Sequence, residues 1–222
     1  MNVLKMIRMI KAFINGAPLG DVAAMKIDAL RTTPAAVHER LKHLSGKTVD
    51  IDVRALKALP DGTLGHEYQR HLEANHLEHL VLTPEITEQL QDNPYAILFT
   101  QTHDLHHVLT GFDTSVAGEI GVAAFNMGQG VGPLTERTWK IVRVLYYFTA
   151  PSQIRAIRHN MQLGYEMGSK AKLLIAEPLQ DMLSLPLADA RSALMIDESD
   201  ARHAMPGGTS WITKCIYWIA GR

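Results

Sequence analysis

A single cysteine, Cys215, leaves the 222-residue chain without an intrachain disulfide. That excludes a small secreted scaffold held by crosslinks and suits a reducing compartment. Its setting, WITKCIYWIAG, is apolar, which reads as a packed thiol and not a nucleophile. Charge excess is missing as well. A formal net charge of −1 with no long Lys/Arg stripe gives no footprint for nucleic acid. No run reaches the roughly 18–20 uninterrupted apolar residues of a transmembrane helix. Strand signals are nearly absent, since the one alternating stretch, Val49-Asp50-Ile51-Asp52-Val53, lasts five residues. The glycine-rich loop 128–133, GQGVGP, has no Gly-Lys-Ser/Thr after it and no strand pattern before it, so it is a turn and not a phosphate cradle. Repeats, linkers and low-complexity blocks are lacking too.

What remains points to a mainly α fold, an irregular multi-helix single domain with a two-helix metal site. The hydrophobic content of 46% at this length is enough for one core without crosslinks or a structural metal. Ten prolines punctuate the chain more than they interrupt helices. The periodicity predicts helices over residues 3–14, 21–30, 34–44, 53–59, 64–75, 84–91, 95–109, 114–127, 134–149, 152–175 and 190–194. Thr33-Pro34 and Thr83-Pro84-Glu85 read as caps with proline at the first helical position. Asp52, Asp113 or Thr114, and Asp189 read as further caps. Gly164 and Gly168 allow another helix to approach closely. Arg137, Lys140 and Arg143 share one edge at three-residue spacing, which reads as a solvated face.

Residues 1–20 form an amphipathic appendage to an all-helical region, 21–222. Lys5, Arg8 and Lys11 recur every third residue, while Leu4, Ile7, Ile10, Phe13 and Ile14 share a broad apolar stripe. The charges break up the hydrophobic run a signal peptide needs. Three readings stay open: a helix packed on the core, a helix lying on an anionic membrane, and a targeting segment. The basic polar face without an acid favours the membrane more than is usual.

The chemistry concentrates in residues 102–125, THDLHHVLTGFDTSVAGEIGVAAF. His103 and His107 are four apart, so a helix points both imidazoles from one face. Asp104 lies beside them. After Gly111 the next polar anchor is Glu119, the sole charged residue between Thr114 and Thr135. A carboxylate in so apolar a run needs a partner or a function. Two imidazoles and two carboxylates from neighbouring helices offer four donors to one divalent metal. Zinc accepts such donors, and so do iron and manganese. The alternative is a buried, hydrogen-bonded polar cluster. His106, three residues after His103, competes with His107 on geometry alone. The other eight histidines mostly read as ordinary surface residues. HExxH is absent, and only one pair of helices offers ligands where a di-iron bundle needs four. His103-Asp104 also fits an HD-type phosphohydrolase, with His66 or His71 and Asp181 or Asp189 as partners that nothing selects.

At these residues the chain resembles the Coq4 family of ubiquinone-biosynthesis proteins. The family signature is HDxxH, eleven residues, then Glu. Here it reads His103-Asp104-Leu105-His106-His107, Val108 through Gly118, then Glu119, with His106 at a variable place. Residues 60–77, 163–174 and 177–191 are similar to the family as well. The resemblance implies a helical protein that binds zinc through His103, Asp104, His107 and Glu119 and works beside a membrane. It also implies oxidative removal of the C1 carboxyl of a polyprenylated 4-hydroxybenzoate-derived ring, leaving a hydroxyl, and a part in organising the biosynthetic machinery.

Implied partners are a polyprenylated quinone precursor, other quinone-biosynthesis proteins and an anionic membrane surface contacted peripherally; a homo-oligomer is compatible. Ile120, Ala124, Leu145, Tyr146 and Phe148 are the expected walls of a groove for the prenyl tail. No Arg/Ser-rich transit region stands out, which leans toward the cytoplasmic face of a bacterial inner membrane, with the mitochondrial matrix side as the eukaryotic equivalent. A non-catalytic scaffold or prenyl-lipid-binding protein is the alternative function.

Overall fold

Side-chain caps decide where most of the helices begin. Asn2, Asp52, Thr63, Thr83, Ser115 and Asp197 each use a side-chain oxygen to accept a backbone N–H of the following first turn, satisfying donors that the helix itself cannot. In the computed structural model, which describes residues 2–30, 35–131 and 150–208, the elements are α1 (Val3–Ile14), α2 (Leu19–Leu30), α3 (Ala35–Leu41), α4 (Val53–Leu56), α5 (Leu64–Ala74), α6 (Pro84–Gln89), α7 (Pro94–Thr110), α8 (Val116–Gly128), α9 (Ile154–Lys170), α10 (Leu187–Ala193) and α11 (Glu198–Arg202). The only β pairing among the described residues is an isolated bridge, Thr63 to Pro186. The fold is mainly α, as expected. The Thr33-Pro34 cap, the helix expected over 134–149 with its basic edge, and Cys215 lie outside the described residues.

Several boundaries differ from expectation. Ser115, not Asp113 or Thr114, caps α8, and Asp113 instead accepts the Ser115 N–H at 3.2 Å. α9 stops at Lys170 and not at 175, because Lys172 donates its N–H to the Leu194 carbonyl at 3.0 Å and is drawn out of the helix. α10 starts at Leu187, which puts Asp189 inside its first turn. α4 ends at Leu56. The alternating segment at Val49 is no strand, for its N–H and carbonyl are both taken by the side-chain amide of Gln101, at 2.9 and 3.0 Å.

Within this domain the chain divides into two compact units, residues 1–106 with 173–190, and residues 107–172 with 191–222. The first holds α1 to α6. Its core joins Ala24, Leu82, Ile86, Leu90, Ala96 and Ile97. The buried carboxylate of Asp21 accepts the N–H and hydroxyl of Thr83 at 2.9 and 2.8 Å, tying α2 to the start of α6. The 60–63 turn, with Gly62 at φ +80°, docks on the 183–187 segment through Leu64 N–H to Leu185 and Gly65 N–H to Leu183. α1 lies on α2, with Asn2 N–H bonded to the Ala29 carbonyl at 2.8 Å and Lys5 Nζ 2.8 Å from Asp28.

The second unit is organised on α8 and α9. Gly164 faces the Gly121 carbonyl and Gly168 the Phe125 carbonyl so closely that a Cβ would come within 2.3 and 2.0 Å of those oxygens. The expected close approach at these two glycines is therefore real. Around it pack Ala117, Ile120, Ala150, Ala156 and Ile157. Polar side chains stitch the same core, since Asn160 Nδ2 donates to the carbonyls of Ala117 and Met205, and Gln153 Oε1 accepts the Ala117 N–H at 2.9 Å. Ile120 and Ala124 are 2% and 1% exposed, so these two form core and not the expected groove wall. The other three expected walls lie outside the described residues.

Candidate metal centre

α7 carries the first donors. Pro94 opens it, and the hydroxyls of Thr100 and Thr102 bond back to the carbonyls of Ala96 and Leu98 at 2.8 Å, which hides their polarity in a buried run. His103 and His107 follow one turn apart. The ring of Phe99 meets that of His103 edge-on at 5.3 Å and that of His106 at 5.8 Å. His106 is fully buried and takes no part in the donor cluster. Of His106 and His107, it is His107 that the helix brings to His103 and Glu119.

Gly111, at φ +77°, ends α7 and turns the chain. A Cβ there would lie 2.3 Å from the Ala201 carbonyl, so both the conformation and the space call for glycine. Phe112 then seats its ring on Gly121, where a Cβ would come within 2.5 Å of ring carbon Cδ1. The Phe112 carbonyl lies 3.0 Å from His107 Nδ1. A carbonyl only accepts, so Nδ1 carries a proton and Nε2 is the nitrogen left to face Glu119. On α8, Ser115 caps the helix through the Gly118 N–H at 3.2 Å, and Glu119 projects from the first turn.

Glu119 Oε1 lies 3.3 Å from His107 Nε2. An imidazole nitrogen and a carboxylate oxygen at that distance share a proton or a cation. One donor atom each from His103, His107 and Glu119 lie within 4.8 Å of one another, and two imidazoles with a carboxylate are a fitting donor set for a divalent cation. The side chain of His107 is wholly buried, that of His103 is 28% exposed and that of Glu119 44%. The cluster has a closed floor and an open rim.

Asp104, the fourth expected site residue, stands just outside this group. Its Oδ1 is 3.4 Å from His103 Nδ1, the relation by which an outer carboxylate orients a ligating imidazole. Its charge also reaches Tyr68 and His79, whose side chains meet at 2.9 Å between the phenol oxygen and Nδ1. Burial, reinforced by Asp104, pushes the Tyr68 phenol above its ordinary range. Burial lowers His79, against the raising effects of a Val49 backbone contact, Asp104 and Asp50. His79 is half-buried and bonded to Tyr68, unlike the ordinary surface residue expected. Sequence spacing had no signal for it, because the loop between α5 and α6 brings it to Tyr68.

Arg191 was also invisible beforehand. It is 7% exposed and donates from Nε to the Leu109 carbonyl at 2.8 Å and from Nη2 to the Val108 carbonyl at 3.0 Å. These are last-turn carbonyls of α7, at its negative end. Nη1 reaches Glu198 Oε2 at 2.5 Å, and that hydrogen bond holds the Glu198 carboxyl below its ordinary value. The Arg191 signal lay in the pattern of no single helix.

The family described as "Coenzyme Q (ubiquinone) biosynthesis protein Coq4" matches residues 34–200. A Xenopus tropicalis protein described as a mitochondrial COQ4 homolog of ubiquinone biosynthesis is 30% identical over 131 residues, covering 54% of this chain and 47% of that protein. Its Danio rerio counterpart is 32% identical over 121 residues, covering 51% and 43%. The chain thus spans about half the length, or less, of these relatives. A crystal structure of a Nostoc punctiforme protein assigned to ubiquinone biosynthesis superposes with a TM-score of 0.61 at 28% identity, over 86% of this chain and 95% of that one.

Proposed function

The chain belongs to the Coq4 family of coenzyme Q (ubiquinone) biosynthesis proteins, and on that premise we propose that it acts on a polyprenylated 4-hydroxybenzoate-derived ring, removing the C1 carboxyl with hydroxylation. In this reading dioxygen is the two-electron oxidant and leaves as hydrogen peroxide, carbon dioxide leaves from C1, and a hydroxyl whose oxygen comes from water takes its place. The observation that carries the reading is the facing of His107 Nε2 and Glu119 Oε1 at 3.3 Å with His103 alongside.

His103, His107 and Glu119 would hold a divalent cation, zinc as the family resemblance implies, with Asp104 of the signature beside them on His103. When bound, the cation supplies positive charge to the ring carboxylate and phenolate oxygens. The chain's own residues do the rest. His107 is held in one tautomer by the Phe112 carbonyl. His103 is steadied by the edge of Phe99 and by Asp104. The buried floor keeps water from the inner side, and the exposed rim at Glu119 admits the ring.

The test is metal content of the untagged 222-residue chain, purified without added metal, beside His107→Ala, Glu119→Ala and Asp104→Ala. About one equivalent of divalent metal is expected in the parent, lost in the first two variants while circular dichroism stays unchanged. Loss in Asp104→Ala places that carboxylate among the donors, whereas full retention makes it an orienting residue. A parent that is metal-free and cannot be reconstituted ends the reading. Turnover of the carboxylated prenyl ring under dioxygen then separates catalysis from binding alone. A structural use of the cation, joining α7 to α8, is the second reading; it is favoured by the donors' coming from two helices, and it predicts binding without turnover.

A further inference from the structure

α1 turns its most apolar face away from the protein. At 100° per residue, Met9 and Ala12 fall on the side of Lys5, and Met6 borders it; these three are half-buried. Lys5 itself is fastened to Asp28, whose Oδ1 also accepts from Asn93 Nδ2 at 2.9 Å. With that side on α2, the opposite side carries Val3, Ile7, Ile10 and Ile14, at i, i+4, i+7 and i+11, flanked by Leu4 and Phe13. Their exposures run from 45% for Ile7 to 74% for Ile14, and Leu19 at the start of α2 adds 68%. No residue of α1 is buried. An apolar stripe of this length, about half or more exposed at every position, is a liability unless something covers it.

Charge says what covers it. The chain has no acid before Asp21, and Asp21 and Asp28 are buried and already bonded. Arg8 and Lys11 are exposed along one edge of the stripe, and neither makes an ion pair among the described residues. A protein partner's apolar face would not require cations at the rim of the stripe and an absence of acids. A bilayer bearing anionic headgroups does, with apolar side chains sunk to the acyl boundary and cations at headgroup level. Twelve residues make a helix of about 18 Å, too short to cross the roughly 30 Å hydrocarbon layer. No described helix is long and apolar enough to cross a membrane.

We propose that α1 is an interfacial docking helix, which seats the protein on an anionic lipid surface through Val3, Leu4, Ile7, Ile10, Phe13 and Ile14, with Arg8 and Lys11 contacting headgroups. It stands independently of the metal centre.

The test is flotation of the full chain with vesicles of phosphatidylcholine and phosphatidylglycerol at about 7:3, against phosphatidylcholine alone, at low and high salt. Binding is expected on the anionic vesicles, weakened by salt. Arg8→Gln and Lys11→Gln should each lower the partition coefficient about fivefold. Ile7→Asn/Ile10→Asn should lower it tenfold or more. Both sites are on the exposed face, so melting temperature should hold, and Lys26→Gln, an exposed cation on α2, should bind as the parent does. Equal flotation of the Ile7/Ile10 variant and the parent overturns the proposal. So does absence of flotation together with a fall in oligomeric mass in that variant by light scattering, which assigns the stripe to a second copy of the chain.

Discussion

Arg191 offers the sharpest check on how the end of α7 is held. Replacing it by Met keeps the apolar stem and removes the guanidinium. Two carbonyls of the last turn, Val108 and Leu109, then lose their donors, at about 1–3 kcal/mol each when buried. Glu198 loses a partner, but its side chain is 34% exposed, so water recovers most of that loss and about 1 kcal/mol is left. The sulfur-bearing stem returns about 1 kcal/mol of apolar burial. The net expectation is a destabilisation of about 3 kcal/mol, or a melting temperature lower by about 6–12 °C for a chain of this size. Urea unfolding at pH 7 of the parent, Arg191→Met, Glu198→Gln and the double variant reads it directly. Glu198→Gln alone should cost about 1 kcal/mol, and the double variant should cost less than the sum. Because His107 immediately precedes Val108 and Leu109 in the same helix turn, Arg191→Met should also weaken metal retention. If Arg191→Met unfolds within about 0.5 kcal/mol of the parent, the guanidinium clasp is not what secures the helix end.

The Glu198 carboxyl is held below its ordinary value by the Arg191 hydrogen bond first, so its contribution is full above the unfolded carboxyl value and fades as pH falls through the lower, folded one. Melting followed from pH 6 to pH 3 should therefore show a loss in the parent below about pH 4.5 that is shallower in Glu198→Gln; parallel curves would remove Glu198 from the acid response. Gly168→Ala, which by helix propensity alone gains about 1 kcal/mol, should instead destabilise by about 2–3 kcal/mol, because its methyl would stand 2.0 Å from the Phe125 carbonyl. A rise in melting temperature for Gly168→Ala would show that α8 and α9 separate freely.

Much of the fold was readable locally because its signals are local. Thr83 and Asp52 announce helix starts by residues two or three positions on, and Gly62 and Gly111 announce turns by a backbone sign that other residues avoid. The pairing of His103 with His107 needs nothing beyond the pitch of one helix. What failed locally were the ends set by distant atoms. Lys172 leaves the helix because Leu194 captures its N–H. Val49 stays out of a sheet because Gln101, fifty-two residues away, takes both its backbone groups.

The sequence by itself determined the helical class, the donor types and the amphipathic pattern of α1, since periodicity and side-chain chemistry are properties of neighbours along the chain. Only the tertiary structure decided the rest. Phe112 seated on Gly121 sets the tautomer of His107 through a carbonyl, Tyr68 and His79 gather near Asp104, and Arg191 closes the end of α7. It also chose which side of α1 lies on α2 and which meets solvent. The amphipathic pattern names a face without saying what it touches, and here the anchoring of Lys5 to buried Asp28 holds the apolar stripe outward.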